Sequence, residues 1–143
     1  MRLYAAALFA VLAASSASAE GISVKDAYIP ETPPGVTSQA AYMILQNNST
    51  QTRSLIGVSA EEYGMVHLHL SQEQGGVAAM SMIHQLEIAP GQTVTLEPGS
   101  FHIMLMHPKA MSKVGDTVPL TLDFSDGDTL VIEAEIKARD QGS

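Results

Sequence analysis

The sequence predicts an all-β domain, a Greek-key sandwich or barrel. Two observations carry that. Short apolar or alternating runs recur along the chain, separated by clusters of Gly, Pro, Asn, Asp and Ser. Beyond Ala19 no segment keeps a helical apolar period for a useful length. A chain of 143 residues with 45% apolar and 15% charged residues fits one globular domain with a real core.

The first segment is set apart. Arg2 is followed by an apolar run from Leu3 to Ala14, then by small residues ending in Ala17-Ser18-Ala19. This is the order of a cleaved secretory signal, residues 1–19, and the run falls short of the about 20 residues a bilayer span needs. The expectation is an exported, periplasmic domain of residues 20–143 with no membrane span. No cysteine follows the cleavage point, so no lipid anchor is expected.

Within that domain, strands are expected near residues 23–28, 39–46, 54–59, 65–70, 77–84, 93–97, 101–106, 117–124 and 129–136. Thr32-Pro33-Pro34-Gly35, Asn47-Asn48-Ser49, Gly75-Gly76, Ala89-Pro90-Gly91-Gln92, Glu97-Pro98-Gly99-Ser100 and Ser125-Asp126-Gly127-Asp128 supply the turns. Pro119 lies inside its run and marks an edge strand or a bulge.

Composition removes several functions. Fifteen acidic residues against seven basic leave a net charge of −8, which does not suit a nucleic-acid backbone. The absence of cysteine removes disulfides, thiolate nucleophiles, iron–sulfur clusters, Cys-type zinc sites and blue-copper electron transfer. No serine triad or phosphate-binding loop is present, and no enzymatic activity is expected.

Histidine and methionine are concentrated. All five His lie between positions 67 and 107, and six of the eight Met between 65 and 111. Residues two apart on a strand share a face. Met65, His67 and His69 therefore line one face, opposite Val66, Leu68 and Leu70. Met80, Met82 and His84 share another, and His102, Met104 and Met106 a third, opposite Ile103 and Leu105. The aliphatic faces are the natural core, so the His/Met stripes are expected to face outward or to lie at the end of the sandwich. Met43 is expected to be packing and Met111 loop. Thioether sulfur is soft and does not titrate near neutral pH; with imidazole it suits Cu(I), a d¹⁰ ion that imposes little geometry.

The spacing His69-x10-Met80-x21-His102-x-Met104 resembles the signature of the periplasmic copper chaperones called PCuAC. The resemblance extends to Asp26-Ala27-Tyr28, Thr32-Pro33-Pro34-Gly35, Ala40-Ala41-Tyr42-Met43, Gln46-Asn47-Asn48, Leu86-Glu87-Ile88, Leu96-Glu97-Pro98-Gly99, Phe101 to Met106 and Gly115-Asp116-Thr117. It implies a cupredoxin-like Greek-key β-sandwich binding Cu(I) near its surface, with His69, Met80, His102 and Met104 as metal ligands. It also implies delivery to the dinuclear copper site of a cytochrome oxidase subunit, alongside a Sco-type thiol protein. The chain departs from the family at Leu70, where a carboxylate is usual. It has additional donors in His67, Met82 and His84. It ends at Lys137 to Ser143 without the His/Met-rich extension of some members, so no tail-based second copper site is expected.

Three rivals stand beside this reading. A zinc hydrolase or hydratase could use His67, His69 and His102, but leaves Met80 and Met104 without a role. A copper-storage or resistance protein would have the same site without a delivery partner. The third is a metal-free adhesion or interaction sandwich.

Overall fold

Alternating burial runs through nearly every segment that forms a strand. In Thr129–Lys137, Leu130, Ile132, Ala134 and Ile136 are buried while the residues between them are exposed. The computed structural model describes residues 18–19 and 21–139. Its strands are β1 (Ser18–Ala19), β2 (Ile22–Pro30), β3 (Ser38–Asn47), β4 (Arg53–Ser59), β5 (Tyr63–Gln74) and β6 (Val77–Met82). They continue with β7 (Leu86–Ile88), β8 (Thr93–Leu96), β9 (Phe101–Pro108), β10 (Thr117–Phe124) and β11 (Thr129–Lys137). Among the described residues there is no helix. Most of the expected signal segment lies outside the described residues; Ser18 and Ala19 pair with Ser23 and Ile22.

The strand order is β6-β5-β9-β3-β2-β11-β10-β4-β7, with β1 added to β2 and β8 to β3. The pairings are antiparallel except β11 with β2, which is parallel. β3 joins the two halves. Its first part, Ser38–Ala41, pairs with Ile103–Met106 of β9, and its second, Met43–Gln46, pairs with β8. β2 carries a bulge between Lys25 and Tyr28, where Asp26 takes a positive φ of 54°. Beyond it, Tyr28–Pro30 turn to pair with Glu135–Lys137. Leu55 of β4 and Leu68 of β5 stand far apart in the strand order yet share one apolar cluster with Leu45, Ile103, Leu105, Leu120, Leu122 and Phe124. The sheet therefore closes over itself into a sandwich, the expected all-β, cupredoxin-like class.

Four details depart from or refine the sequence reading. β7 has three residues, too few for alternation to show, but Leu86 and Ile88 are buried and pair with Leu55 and Arg53. β6 stops at Met82 rather than His84, because the chain must leave β5 there to reach β4 on the far edge. Pro119 sits on neither an edge strand nor a bulge: β10 runs between β11 and β4. However, β4 pairs only from Thr121 onward, so beside Pro119 the missing N–H faces no neighbouring strand. Met43, 1% exposed, is core, and Met111, 73% exposed, is loop.

Two buried polar groups tie the loops down. Asn47 donates to the carbonyls of Gln51 and Ile88, both at 2.8 Å, and accepts from the Ser49 amide and hydroxyl. Arg53 pairs with Asp126 and Asp128 at 2.9 Å each, fastening β4 to the β10–β11 turn.

Leu105 and Leu68 are 0% and 4% exposed, and Val131 is 58% exposed. Leu105→Ala and Leu68→Ala are expected to cost about 2–5 kcal/mol in urea unfolding of the apo protein, and Val131→Ala less than about 0.5 kcal/mol. Equal costs at all three would contradict the assignment of faces.

Candidate metal centre

The register of β5 against β9 builds the site. Met65 stands opposite Met106, His67 opposite Met104, and His69 opposite His102. Directly paired residues share a face, with Cβ atoms about 4.5–5.5 Å apart. Three rungs of soft donors therefore stack along one face of two strands, while Val66, Leu68, Ile103 and Leu105 pack on the other. β6 adds a third strand: Met82 stands opposite His69, and Met80 opposite Ser71. The four residues of the family pattern thus form a centre and two flanks. His69 and His102 are the direct pair, Met104 lies diagonally on one side, and Met80 diagonally on the other. Diagonal neighbours are about 7–8 Å apart between backbones, within reach of a long thioether side chain.

The rings confirm the proximity of the imidazoles. His69 and His102 have centroids 5.6 Å apart at 66°, and His67 and His69 stack at 6.1 Å and 17°. The stripe is less open than expected. His102 is 4% exposed, and Met104 and Met106 are half-buried, because β9 has β5 on one side and β3 on the other. Met80 and Met82 sit on the edge strand and are 53% and 52% exposed. The site runs from a buried inner end at His102 to a solvent-facing outer end at Met80. His84 lies beyond the end of β6 and is exposed.

Two nitrogens are prepared for a ligand role. His102 Nδ1 lies 3.2 Å from the Ser100 carbonyl. A carbonyl only accepts, so Nδ1 carries the proton and Nε2 presents its lone pair. His69 Nδ1 is buried with no hydrogen-bond partner. Such an atom costs free energy unless something coordinates it, so the residues present fit a metal ion. Burial pushes the His69 pKa below the ordinary histidine value, and His102 and then His67 push the same way. The ring therefore stays neutral, the form that ligates.

The chemistry this allows is soft-ion binding. Among the described residues no three His, Asp or Glu side chains group to hold a metal, so His67, His69 and His102 do not assemble a three-imidazole zinc centre. Completing a coordination sphere here calls on thioethers, which select Cu(I). The Ser100 carbonyl is a participant that sequence reading missed. Its signal was the Pro98-Gly99 turn, where Gly99 has a φ of 83° and delivers Ser100 to the start of β9.

The comparisons with known proteins agree with this architecture. A family profile described as "LpqE-like" matches residues 22–136. A protein of Leifsonia xyli subsp. xyli named "Putative lipoprotein Lxx21020" is 31% identical over 120 residues, covering 83% of this chain and 71% of the relative. This sequence itself contains no cysteine. Among solved structures, the solution structure of CuI-DR1885 from Deinococcus radiodurans is 37% identical with a TM-score of 0.67, over 82% of this chain and 78% of that one. Apo-DR1885 is 33% identical with the same TM-score, over 100% and 97%. The copper-bound PCuAC domain from PmoF2 is similar in fold, with a TM-score of 0.73 at 23% identity, over 86% of this chain and 98% of that one. The chain belongs to the LpqE-like family and has the fold of the PCuAC domains that its sequence resembles.

Proposed function

We propose that this chain is an exported, non-catalytic copper chaperone that carries Cu(I) on His69, Met80, His102 and Met104. The observation that carries the reading is the cross-strand pair His69–His102, flanked by one thioether on each diagonal, with a buried and unpartnered His69 Nδ1. The copper(I)-bound state of DR1885, at 37% identity, supports copper as the cargo. The acceptor in this reading is the dinuclear copper site of a cytochrome oxidase subunit, with a Sco-type thiol protein as co-partner. Periplasmic location is part of this proposal; the signal-like N-terminus and the lipoprotein name of the Leifsonia relative support export.

The gradient of exposure gives a route for release. His102 holds the inner end within the sheet. Met80, on the edge strand, is the ligand an acceptor reaches first. Replacing thioethers one at a time keeps the ion coordinated throughout transfer, and no proton has to return to the departing thioether sulfurs.

Met80→Leu and Met104→Leu keep volume and apolarity, changes that usually cost less than about 1.5 kcal/mol in stability. Each is expected to leave apo unfolding nearly unchanged and to weaken Cu(I) binding at least about tenfold in chelator competition, or about 1.4 kcal/mol. His69→Ala and His102→Ala should weaken it too. Lost stability with wild-type copper affinity would make the two methionines plain packing. Transfer to a purified oxidase copper domain tests delivery. A loaded protein that yields copper to no acceptor is a storage protein.

Acidification has a defined sign. The lowered pKa of His69 keeps the neutral ring to more acid pH than a free histidine, whose pKa is about 6.5. Cu(I) affinity should stay nearly level near pH 7 and fall toward pH 5 without vanishing, since the thioethers do not titrate. The same proton uptake acts on the apo fold. An unfolded His69 binds its proton first, so the stability this group contributes is present above about pH 6.5 and is lost as pH falls through the folded value. Affinity independent of pH over this range would exclude imidazole ligation.

A further inference from the structure

Of the soft donors outside the four-residue pattern, the structure gathers three along one cleft: His67, Met82 and His84. β5 and β6 pair His69 with Met82, and beyond the end of β6 the Ile83 amide still donates to the Leu68 carbonyl at 3.0 Å. His84 is the next residue of the chain. All three line one cleft of about 150 Å³ between β4 and the outer edge of β5, walled by Ile56, Val58 and Val66. His67 is half-buried, Met82 is 52% exposed, and His84 is exposed.

We propose that His67, Met82 and His84 form an auxiliary Cu(I) site at the mouth of this cleft, beside the site of the four-residue pattern. Two imidazoles and one thioether make a three-donor set suited to a d¹⁰ monovalent ion. The aliphatic walls work against a divalent, strongly hydrated ion, because the cost of moving charge into apolar surroundings rises steeply with charge. No carboxylate lines the cleft to offset a second positive charge. The His67 and His69 rings are 6.1 Å apart, so the two sites adjoin across one step of β5. An ion arriving from solvent meets Met82 and His84 before it meets His102. The auxiliary site is a port through which copper enters from the His67 side, with no change of oxidation state. The choice of ion rests on the copper reading above; the place of the site rests on the cleft.

The test is an anaerobic Cu(I) titration of the full mature chain against a chromogenic chelator, on the wild type, the Met82→Leu/His84→Ala double variant and His102→Ala. Both residues of the double variant are exposed, so folding is not at issue. The wild type is expected to bind a first equivalent tightly and a second at least about tenfold more weakly, a difference of about 1.4 kcal/mol. The double variant should lose the second equivalent and hold the first within about threefold. His102→Ala should lose the first and hold the second. Saturation of the wild type at one equivalent overturns the auxiliary site. So does a double variant that weakens the first equivalent as strongly as Met104→Leu, which would make Met82 and His84 ligands of the main site. Absence of a tight first equivalent overturns the copper-chaperone reading instead. In that event a weak equivalent that survives in the double variant still overturns the auxiliary site, and one lost there supports it.

Discussion

The pairing of β5 with β9 is the constraint on which the rest depends. With a side-chain period of two, a one-residue slip of β5 against β9 would send His67 and His69 into the core and bring Leu68 and Leu70 to the outer face. Such a slip would bury two imidazoles without partners and expose two leucine-sized side chains, each change unfavourable by itself. The aliphatic face therefore sets the register, and the register sets the metal site. The residues that hold the fold and those that offer donors alternate along the same strands, so neither set can be displaced without the other.

The position of each strand in the sheet then decides how tightly its donors are held. β9 is flanked by β5 and β3, and its His102 imidazole is sealed, oriented by the Ser100 carbonyl and nearly free of solvent. β6 has a neighbour only on its β5 side in the strand order, and its thioethers are half in water. In the proposed site the buried inner ligand would lose less entropy on binding, while Met80, exposed at the outer end, would leave an accessible path for exchange. In the proposed site, strand order alone would combine retention with transfer.

Much of this was legible in the sequence, and the gaps have physical reasons. The faces of β5 and β9 followed from alternation, since Leu68, Ile103 and Leu105 are separated from the His/Met set by the strand period. The opposition of His69 to His102 did not follow, because register depends on which strands pair. That β5 joins β9 rather than its sequence neighbour alone is a long-range fact. The sealing of His102 was hidden for the same reason: a face that looks outward in one strand is closed when that strand is central. His84 was placed on a strand because period two continues through it, but the demand of Leu86 and Ile88 for the far edge ends β6 two residues earlier.

The absence of cysteine gives this arrangement its chemical character. A thiolate site would compete with protons around neutral pH and would be open to oxidation in an exported protein. Thioethers avoid proton competition and disulfide formation, though not sulfoxidation, and they donate more weakly, so in the proposed site the imidazoles would supply the stronger bonds. Imidazoles do titrate, and here burial lowers the pKa of His69 and keeps it available. That burial exists because Leu68 and Ile103 pull β5 and β9 onto the core. The same aliphatic residues that specify the fold thus desolvate the nitrogen, and the unpartnered His69 Nδ1 is a cost of the fold that coordination in the proposed site would relieve.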